Sequence, residues 1–381
     1  MQLYRLGEMR EKREALKALG VEHGGVSIIH KKMSLYYFMI KDLRTPAANI
    51  LKQDALSIGA ELAVPSGVIT CEKAAFDCML IGNRKQIEIL SQKELTQPFG
   101  LKAVAQALAA HLSSPASIAV PKIMGVINAN DDSFYAGSRF VAEDALVRIE
   151  QMIAEGAEII DIGAVSSRPG AAVVEEKEEL ERIKPICDAI RSSKLYEKVA
   201  FSIDSTTPSV VETALQSGFV IINDITGARD SRIIALALKY DVSLCIMHMQ
   251  GDPQTMQDDP QYEDVIVEVS HFFEGRIADC EALGLDRARI ILDVGIGFGK
   301  SLEDNLILLK NLSHFRKFGC DLLVGASRKS MIDHIIPTPV EERLPGTLAI
   351  HLQAVAQGAH IIRCHDVKAH RQAISVAEVL R

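Results

Sequence analysis

The sequence predicts an α/β fold, a (β/α)8 TIM barrel preceded by a small α/β N-terminal domain. The first observation is that eight apolar segments alternate with eight helical segments from about residue 119 onward, which matches the size and rhythm of such a barrel. The second is that each apolar segment ends in polar residues, as barrel strands do at their active-site end. The third is that the preceding residues lack this rhythm. We therefore expect domains at 1–115 and 116–381.

An open doubly wound sheet is the alternative that the same alternation allows. That fold should show a phosphate-binding glycine turn after its first strand. In this chain the residues after the first apolar segment read NANDDS (128–133) instead. The barrel is therefore the favoured interpretation.

The length, net charge and cysteine content predict a cytoplasmic protein of ordinary composition. Its 381 residues are enough for one large and one smaller domain. A net charge of -8 argues against a nucleic-acid partner. The seven cysteines are scattered and odd in number, which is typical of buried thiols in a reducing compartment. The sequence shows no signal-peptide pattern and no apolar run long enough to span a bilayer, so we expect a cytoplasmic protein without a membrane partner.

Residues 1–115 carry elements of both types. We predict helices at 10–19, 47–59, 85–95 and 100–112, and strands at 34–40, 61–64 and 76–81. His23, His30 and His111 show no metal-ligand spacing. This region therefore predicts no chemistry of its own, and packing on the larger domain or self-association is its default role.

The barrel region is predicted segment by segment. Apolar strands are expected at 123–127, 158–163, 199–203, 220–225, 242–247, 290–294, 322–325 and 360–364. Helices are expected at 140–155, 175–191, 208–217, 231–240, 262–283, 302–318, 347–357 and 369–380. Glycines follow five of the helices, which is a common way for a helix to end; they are Gly156, Gly218, Gly284, Gly319 and Gly358.

Polar residues follow every predicted strand. In chain order they are Asn128 with Asp131 and Asp132, Asp161 with 166–170, Asp204, Asn223 with Asp224, His248, Asp293 with 295–300, 327–330, and 363–366. Any one of them could cap a helix or be a packed core residue. Burying all of them without partners would be costly, so together they predict one solvated pocket.

The residue types in this pocket suggest its ligand. Asp204, Asn223 and Asp293 can offer acceptors and a donor to a flat heterocycle, and Lys329 can bind a ring carbonyl or nitrogen. Arg363, His365 and Asn128 can form a phosphate or pyrophosphate site, and oxygen ligands beside phosphate suit Mg²⁺. The glycines of 295–300 resemble a dinucleotide fingerprint only weakly, because Lys300 replaces the third glycine; we interpret them as letting the backbone approach a bound ring.

Eight collinear motifs carry a resemblance to a known family. They are IMGVIN (123–128) with DSF (132–134), IIDIG (159–163) with SRPGA (167–171), SIDS (202–205), IINDITG (221–227), MHMQG (247–251), LDVGIGFGK (292–300), SRKSM (327–331) and IRCHDV (362–367). Over essentially all of 120–381 the chain resembles the dihydropteroate synthases. The resemblance implies a barrel that joins 4-aminobenzoate to 6-hydroxymethyl-7,8-dihydropterin pyrophosphate and releases pyrophosphate in folate biosynthesis.

The same resemblance implies roles for individual residues. Asp204, Asn223, Asp293 and Lys329 would hold the pterin. Asn128, Arg363 and His365 would hold pyrophosphate, with Mg²⁺ as the cofactor at Asn128. Ser167, Arg168, Pro169, Phe298 and Ser330 would frame the aminobenzoate, and Asp132 and Met247 would be further substrate contacts. Asp204, Lys329, Arg363 and His365 are the expected catalytic residues, and a homodimer is expected because dimers are common in the family.

Departures from the family pattern leave two alternatives open. Asn130 and Asp131 stand where the first loop usually has Thr and Pro, and Ser167 stands where Thr is usual. In the second loop Val165 replaces a common acid, and Val294 follows Asp293 where Pro is usual. A pterin-binding methyltransferase that uses methyltetrahydrofolate would need no pyrophosphate site. A non-catalytic pterin-binding paralogue would retain the pterin pocket without the aminobenzoate chemistry.

Overall fold

The structure, a computed structural model, describes residue 3 and residues 12–113, 120–129, 138–165, 174–252 and 254–380. These residues form two compact units, one within 1–114 and the other within 115–380. Each unit has its own hydrophobic core. Within the described residues, no helix is long and apolar enough to cross a membrane.

The N-terminal unit is a three-stranded antiparallel sheet with helices. Its strands are β1 (Leu35–Arg44), β2 (Glu61–Ala63) and β3 (Ala75–Asn83), in the spatial order β1-β3-β2. Its helices are α1 (Lys12–Ala18), α2 (His23–Ile29), α3 (Thr45–Ser57), α4 (Gly67–Thr70), α5 (Arg84–Lys93) and α6 (Leu101–Ser113). Alternate residues of β3, such as Cys78 and Leu80, are fully buried with residues from α3, α5 and α6, as the two-residue period of a strand requires.

Two helices of this unit, α2 and α4, were not predicted. Helix α2 begins His23-Gly24-Gly25, and two glycines in a first turn give it a low helix propensity. Helix α4 has only four residues, which is too short for a periodic pattern.

The larger unit is a closed parallel barrel. Its strands are β4 (Lys122–Asn128), β5 (Ile159–Gly163), β6 (Ala200–Asp204), β7 (Ile221–Asp224), β8 (Ser243–Met247), β9 (Ile290–Asp293), β10 (Asp321–Val324) and β11 (Ile361–Cys364). They pair in sequence order, and β11 closes the ring by pairing with β4. The predicted (β/α)8 barrel is confirmed, and the open sheet is wrong because an open sheet would leave two edges unpaired.

The helices alternate with these strands. They are α7 (Ser138–Ala154), α8 (Glu176–Ser193), α9 (Pro208–Leu215), α10 (Ser231–Tyr240), α11 (Val265–Ala282), α12 (Leu302–Lys310), α13 (Met331–Ile335), α14 (Leu344–Ala356) and α15 (Val367–Val379). The single helix predicted over 302–318 is two elements in the structure. Helix α12 ends at Lys310, and a 3-10 helix, Leu312–Phe318, follows. Asn311 follows the last residue of α12, and its side chain donates to the Ile307 carbonyl at 2.8 Å, a local bond that competes with regular helix.

The inside of the barrel has two layers. The lower layer is an apolar cluster formed by Met124, Ile159, Ile221, Cys245, Ile291, Leu323 and Ile361. Residues two positions further along a strand point to the same side. Asp161, Asn223, Asp293 and Arg363 therefore follow Ile159, Ile221, Ile291 and Ile361 in the next layer, and Ser202 follows Ala200, which packs against the same cluster. We call these five residues the polar layer. The interior of the barrel is therefore polar towards the carboxyl ends of the strands and apolar below them.

Candidate active site

Arg363 of the polar layer lies between two carboxylates, one from the polar layer and one from the end of β6. Arg363 Nε donates to Asp161 Oδ2 at 2.6 Å, and Arg363 Nη2 donates to Asp204 Oδ2 at 2.6 Å. Asp161 is fully buried, and the side chains of Asp204 and Arg363 are 11% and 21% exposed. The three residues come from β5, β6 and β11, so one guanidinium ties together strands that are distant in sequence.

Burial and charge act in opposite directions on these groups. Burial raises the pKa of Asp204 to about 7, although Arg363 favours its ionised form. Burial alone would lower the pKa of Arg363, but Asp161 and Asp204 more than reverse this and raise it. The guanidinium is therefore a permanent cation, whereas Asp204 is poised to change charge near neutral pH.

Polar atoms beside this ion pair are ready to receive a ligand. Asn223 Nδ2 donates to Asp161 Oδ2 at 3.1 Å, which fixes the orientation of the amide. Among the described residues, Asp161 Oδ1 and Ser202 Oγ are buried and have no hydrogen-bond partner. Unpaired buried oxygens of this kind are normally satisfied by water or by a ligand. Asp161 Oδ1 and Ser202 Oγ therefore have unused capacity to accept hydrogen bonds.

Lys329 and Asp293 supply a second pair of charges. The Lys329 ammonium donates to the Ile296 carbonyl and lies 4.4 Å from the centre of the Phe298 ring. Burial lowers the pKa of Lys329 to about 8. Burial raises the pKa of Asp293, whose Oδ1 accepts from the Gly295 amide at 2.8 Å. The Lys329 ammonium is thus held against the Phe298 ring by a cation–π contact.

The glycines of the loop after β9 allow close contacts with the neighbouring backbone. Gly295 has φ +67°, and a Cβ there would lie 2.0 Å from the His248 carbonyl oxygen. Gly299 has φ +57°, and its Cβ would lie 2.4 Å from the Gln250 carbonyl oxygen. Gly295 and Gly299 therefore let the loop pack on the backbone after β8, and an approach to a bound ring stays a prediction. Lys300 fastens the same contact by donating to the His248 and Phe298 carbonyls at 3.2 and 2.8 Å.

The remaining predicted residues lie around the same end of the barrel. His365 Nδ1 is 2.9 Å from Ser327 Oγ, which joins the loop after β11 to the loop after β10. Asn128 is the last residue of β4, and Met247, the last residue of β8, packs with Met249, Met256 and Phe298. Ser330 instead lines a cleft of about 470 Å³ whose lining does not include Asp204, Asn223, Asp293 or Arg363.

Four predicted substrate contacts lie outside the described residues. They are Asp132 in the first loop and Ser167, Arg168 and Pro169 in the second. Asn130 and Asp131, the residues that depart from the family pattern, lie outside them as well. The roles of these residues stay predictions.

Two strand-end residues have structural roles. Asp224 accepts from the Thr226 amide and hydroxyl at 2.7 and 2.6 Å, so it shapes the turn after β7. His248 packs edge-on against Phe272, and burial lowers its pKa to about 3, which keeps it neutral. Conversely, Asp161 was noted only as a strand-end acid, and the structure makes it the buried partner of Arg363. Its signal in the sequence was its position two residues after the inward-facing Ile159.

The resemblance predicts a magnesium ion at Asn128. Within those residues, no group of three or more His, Cys, Asp and Glu side chains could hold a metal ion. Asn128 offers one amide oxygen at the end of β4. Mg²⁺ usually binds few protein oxygens and takes the rest of its ligands from phosphate and water. The residues present therefore fit a metal that arrives with a phosphorylated substrate.

Fold and site together define a class of protein: a (β/α)8 barrel whose strand ends carry buried carboxylates, an amide and two cations. Residues 124–365 match the pterin binding enzyme family. A bifunctional dihydropteroate synthase/dihydropteroate reductase of Helicobacter pylori is 40% identical over 368 residues, which are 97% of this chain and 96% of that protein. The Escherichia coli dihydropteroate synthase is 43% identical over 259 residues, 68% of this chain and 91% of its own.

A solved structure agrees with these relatives. The dihydropteroate synthase of Thermus thermophilus in complex with 4-aminobenzoate superimposes with a TM-score of 0.62 at 39% identity, covering 70% of this chain and 96% of that one. The chain belongs to the dihydropteroate synthase family of pterin binding enzymes.

Proposed function

We propose that the barrel is a dihydropteroate synthase that condenses 6-hydroxymethyl-7,8-dihydropterin pyrophosphate with 4-aminobenzoate. The observation that carries this proposal is the buried network in which Arg363 pairs with Asp161 and Asp204. Asn223, Asp293 and Lys329 lie around it. The acids and the amide match the donor-rich amino-pyrimidinone edge of a pterin, and the cations match its ring carbonyl and its pyrophosphate. The family membership supports the same reaction.

The reaction breaks one bond and forms another at the pterin methylene carbon. The carbon–oxygen bond to pyrophosphate breaks and its electrons leave with pyrophosphate. The amine nitrogen of 4-aminobenzoate then bonds to the carbon and releases a proton. The methylene pterin becomes positive as the leaving group departs, so catalysis is mainly electrostatic. Asp204 and Asp293 stabilise the positive methylene pterin. Arg363 and His365 stabilise the departing pyrophosphate, and Lys329 binds the ring carbonyl of the pterin.

Arg363 connects the acids that stabilise the pterin cation with the pyrophosphate that leaves. Asp161 is fully buried and holds Arg363 Nε, whereas the bond to Asp204 uses the outer Nη2 atom. A pyrophosphate at the pocket mouth competes with Asp204 for Nη2. Transfer of that hydrogen bond removes the cation that favours the ionised form of Asp204, and the positive charge developing on the pterin then takes over this role.

Mg²⁺ is part of this proposal as a companion of the substrate. Asn128 would hold it through the amide oxygen together with phosphate oxygens and water. The ion would neutralise charge on pyrophosphate as it leaves. Removal of divalent cations is expected to weaken binding of the pterin pyrophosphate more than binding of the pterin alcohol, which calorimetry can measure.

The decisive experiment measures pyrophosphate release by the full chain with the pterin pyrophosphate, Mg²⁺ and 4-aminobenzoate. Release should depend on aminobenzoate and should be lost in Lys329→Ala. The matched control is Lys310→Ala, an exposed lysine at the end of α12, which should leave release unchanged. Tight pterin binding without release would favour the non-catalytic paralogue. Binding of methyltetrahydrofolate in place of the pterin pyrophosphate would favour the methyltransferase.

A second activity is proposed for the N-terminal unit. The H. pylori relative matches 97% of this chain, so the match includes nearly all of residues 1–114, whereas the E. coli synthase covers only 68%. That relative is bifunctional, and its second activity is that of a dihydropteroate reductase. We propose that this chain also reduces dihydropteroate, adding a hydride and a proton across a ring carbon–nitrogen double bond.

The reductase proposal has a direct test. Full-length protein is incubated with 7,8-dihydropteroate and a reduced nicotinamide or reduced flavin, the common biological hydride donors, and tetrahydropteroate is measured. Lys329→Ala should retain this activity while losing the synthase. Absence of reduction with every donor would limit the chain to synthase activity.

The cysteines and the family resemblance support a proposal for the compartment and the oligomeric state. All seven cysteines are unpaired and six are buried, which suits the reducing cytoplasm. We propose a cytoplasmic homodimer, on the support of the family resemblance. Sedimentation equilibrium of the full chain at micromolar concentration should give twice the 41.7 kDa chain mass, and a single chain mass would contradict the dimer.

A further inference from the structure

Two buried histidines lie behind the site on neighbouring helices. His351 is on α14, which precedes β11, and His370 is on α15, which follows it. Both are about 1% exposed, and His351 Nδ1 is 2.8 Å from His370 Nε2. Among the described residues, no hydrogen bond joins either histidine to the polar layer, and the synthase chemistry described above does not use them.

The two ends of this pair fix where its protons are. The Ala326 amide donates to His351 Nε2 at 3.0 Å, so that nitrogen carries no proton. His370 Nδ1 lies 2.7 Å from the Asp366 carbonyl oxygen, which can only accept, so that nitrogen carries a proton. The proton between the rings must then belong to His351 Nδ1 and be donated to His370 Nε2. Both rings are neutral, and the chain runs in one direction from Ala326 to Asp366.

An additional proton cannot be placed in this chain without breaking it. A proton on His370 Nε2 would face the proton on His351 Nδ1, and moving the latter to Nε2 would oppose the Ala326 amide. Burial also lowers the pKa of both histidines. The pair therefore acts as a fixed, neutral connector.

Two further contacts connect the loop after β10 to the loop after β11. The Arg328 guanidinium makes a two-point ion pair with the Asp366 carboxylate at 2.7 and 3.0 Å, and Ser327 Oγ contacts His365 Nδ1. Arg328 has φ +56°, an unfavourable value for a residue with a side chain. Thr347 Oγ1 on α14 accepts from its amide at 2.9 Å and helps to hold it there. Residues 326–328 are thus joined to 365–366 at three successive positions, immediately before Lys329.

We propose that His351 and His370 are positioning residues for the synthase reaction. Their neutral hydrogen-bond chain holds the loop after β10 against the loop after β11. It thereby sets the place of Lys329, which faces the pterin, relative to Arg363 and His365, which face the pyrophosphate. This inference rests on the proposed synthase function. A displacement of about 1 Å between such groups can cost about 100-fold in rate.

The test compares substitutions at His351 in the full chain. His351→Leu keeps the volume and removes both hydrogen bonds, and kcat of the folded variant is expected to fall about 10- to 100-fold while KM for 4-aminobenzoate is unchanged. His351→Gln should recover most of the lost kcat, because its amide oxygen can accept from Ala326. His271→Leu, an exposed histidine on α11, is the matched control and should behave as wild type.

Several outcomes would overturn the inference. A folded His351→Leu protein with wild-type kcat and only a lower Tm would show that the pair is purely structural. If this variant does not fold, His370→Asn decides: it keeps a donor for the Asp366 carbonyl but is too short to reach His351, so an unchanged kcat would refute the proposal. An inactive wild-type protein would instead refute the synthase function and this inference with it.

Discussion

The Arg363–Asp161 ion pair is the residue-scale feature on which the site most depends. Asp161→Asn keeps the shape but removes the charge that balances Arg363. Unfolding free energy is expected to fall by about 3 kcal/mol, the lower end of the cost of breaking a buried pair, because Arg363 retains Asp204. Urea denaturation measures this change. The matched control is Glu158→Gln, which breaks the exposed Arg371–Glu158 pair, also 2.6 Å long, and should cost about 1 kcal/mol or less.

The pH dependence of kcat/KM is a second prediction at this scale. Asp204 must be ionised, so activity is expected to fall as pH drops through its pKa of about 7. Lys329 must be protonated, so activity is expected to fall as pH rises through its pKa of about 8. The profile should therefore be a narrow bell that reports the free enzyme.

Substitution identifies the limbs of this bell. Asp204→Asn should remove the acidic limb from whatever activity remains, and Lys329→Arg should remove the basic limb. A wild-type profile that is flat between pH 6 and pH 9 would contradict both assignments. The pH range of the assay has to be covered with one ionic strength, because the charges are close and screening would otherwise vary.

Residues of the site were predictable where they lie at strand ends. Asp204, Asn223, Asp293 and Arg363 follow or end apolar segments, and the two-residue period of a strand brings such residues to one end of a barrel. The partnership of Asp161 with Arg363 joins residues from opposite ends of the barrel sequence. No local pattern encodes it, since it depends on closure of β11 onto β4. The same is true of His351 and His370, which read as ordinary helix residues.

At the scale of elements, the loop after β9 depends on glycine. Gly295→Ala is expected to cost about 1–2 kcal/mol for its positive φ and about 1–3 kcal/mol more for the clash with the His248 carbonyl. It should also weaken activity, because the Gly295 amide holds the Asp293 carboxylate. Gly319→Ala is the matched control: its φ is +72°, but its Cβ would meet only Arg287 Cδ at 3.9 Å. Equal losses of stability in the two variants would show that φ alone matters.

Elements were predictable in proportion to their length and periodicity. All eight barrel strands and the long helices follow from apolar segments and terminal glycines, and Gly156, Gly218, Gly284, Gly319 and Gly358 all have positive φ. The short helices α2, α4 and α13 and the break at Asn311 could not be predicted. A single turn offers no periodic pattern, and the end of α12 falls within an apolar pattern that continues through Phe318.

At the scale of the whole molecule, the two units have separate cores and, on our proposals, separate activities. Leu80 on β3 and Leu244 on β8 are both fully buried strand leucines, each in the core of one unit. Truncation of either to alanine is expected to cost about 2–5 kcal/mol in its own unit. All described candidate synthase residues lie in the barrel unit, so each variant should damage a different activity.

The comparison of these two variants tests the division of labour. Leu80→Ala should lower dihydropteroate reduction and the stability of the N-terminal unit, while pyrophosphate release at 25 °C remains near the wild-type rate. Leu244→Ala should do the reverse, because the barrel carries Lys329 and Arg363. Calorimetry of the full chain resolves which transition each substitution moves. Loss of pyrophosphate release in a folded Leu80→Ala protein would mean that the synthase needs an intact N-terminal unit, and the two activities would then have to be treated as one coupled system.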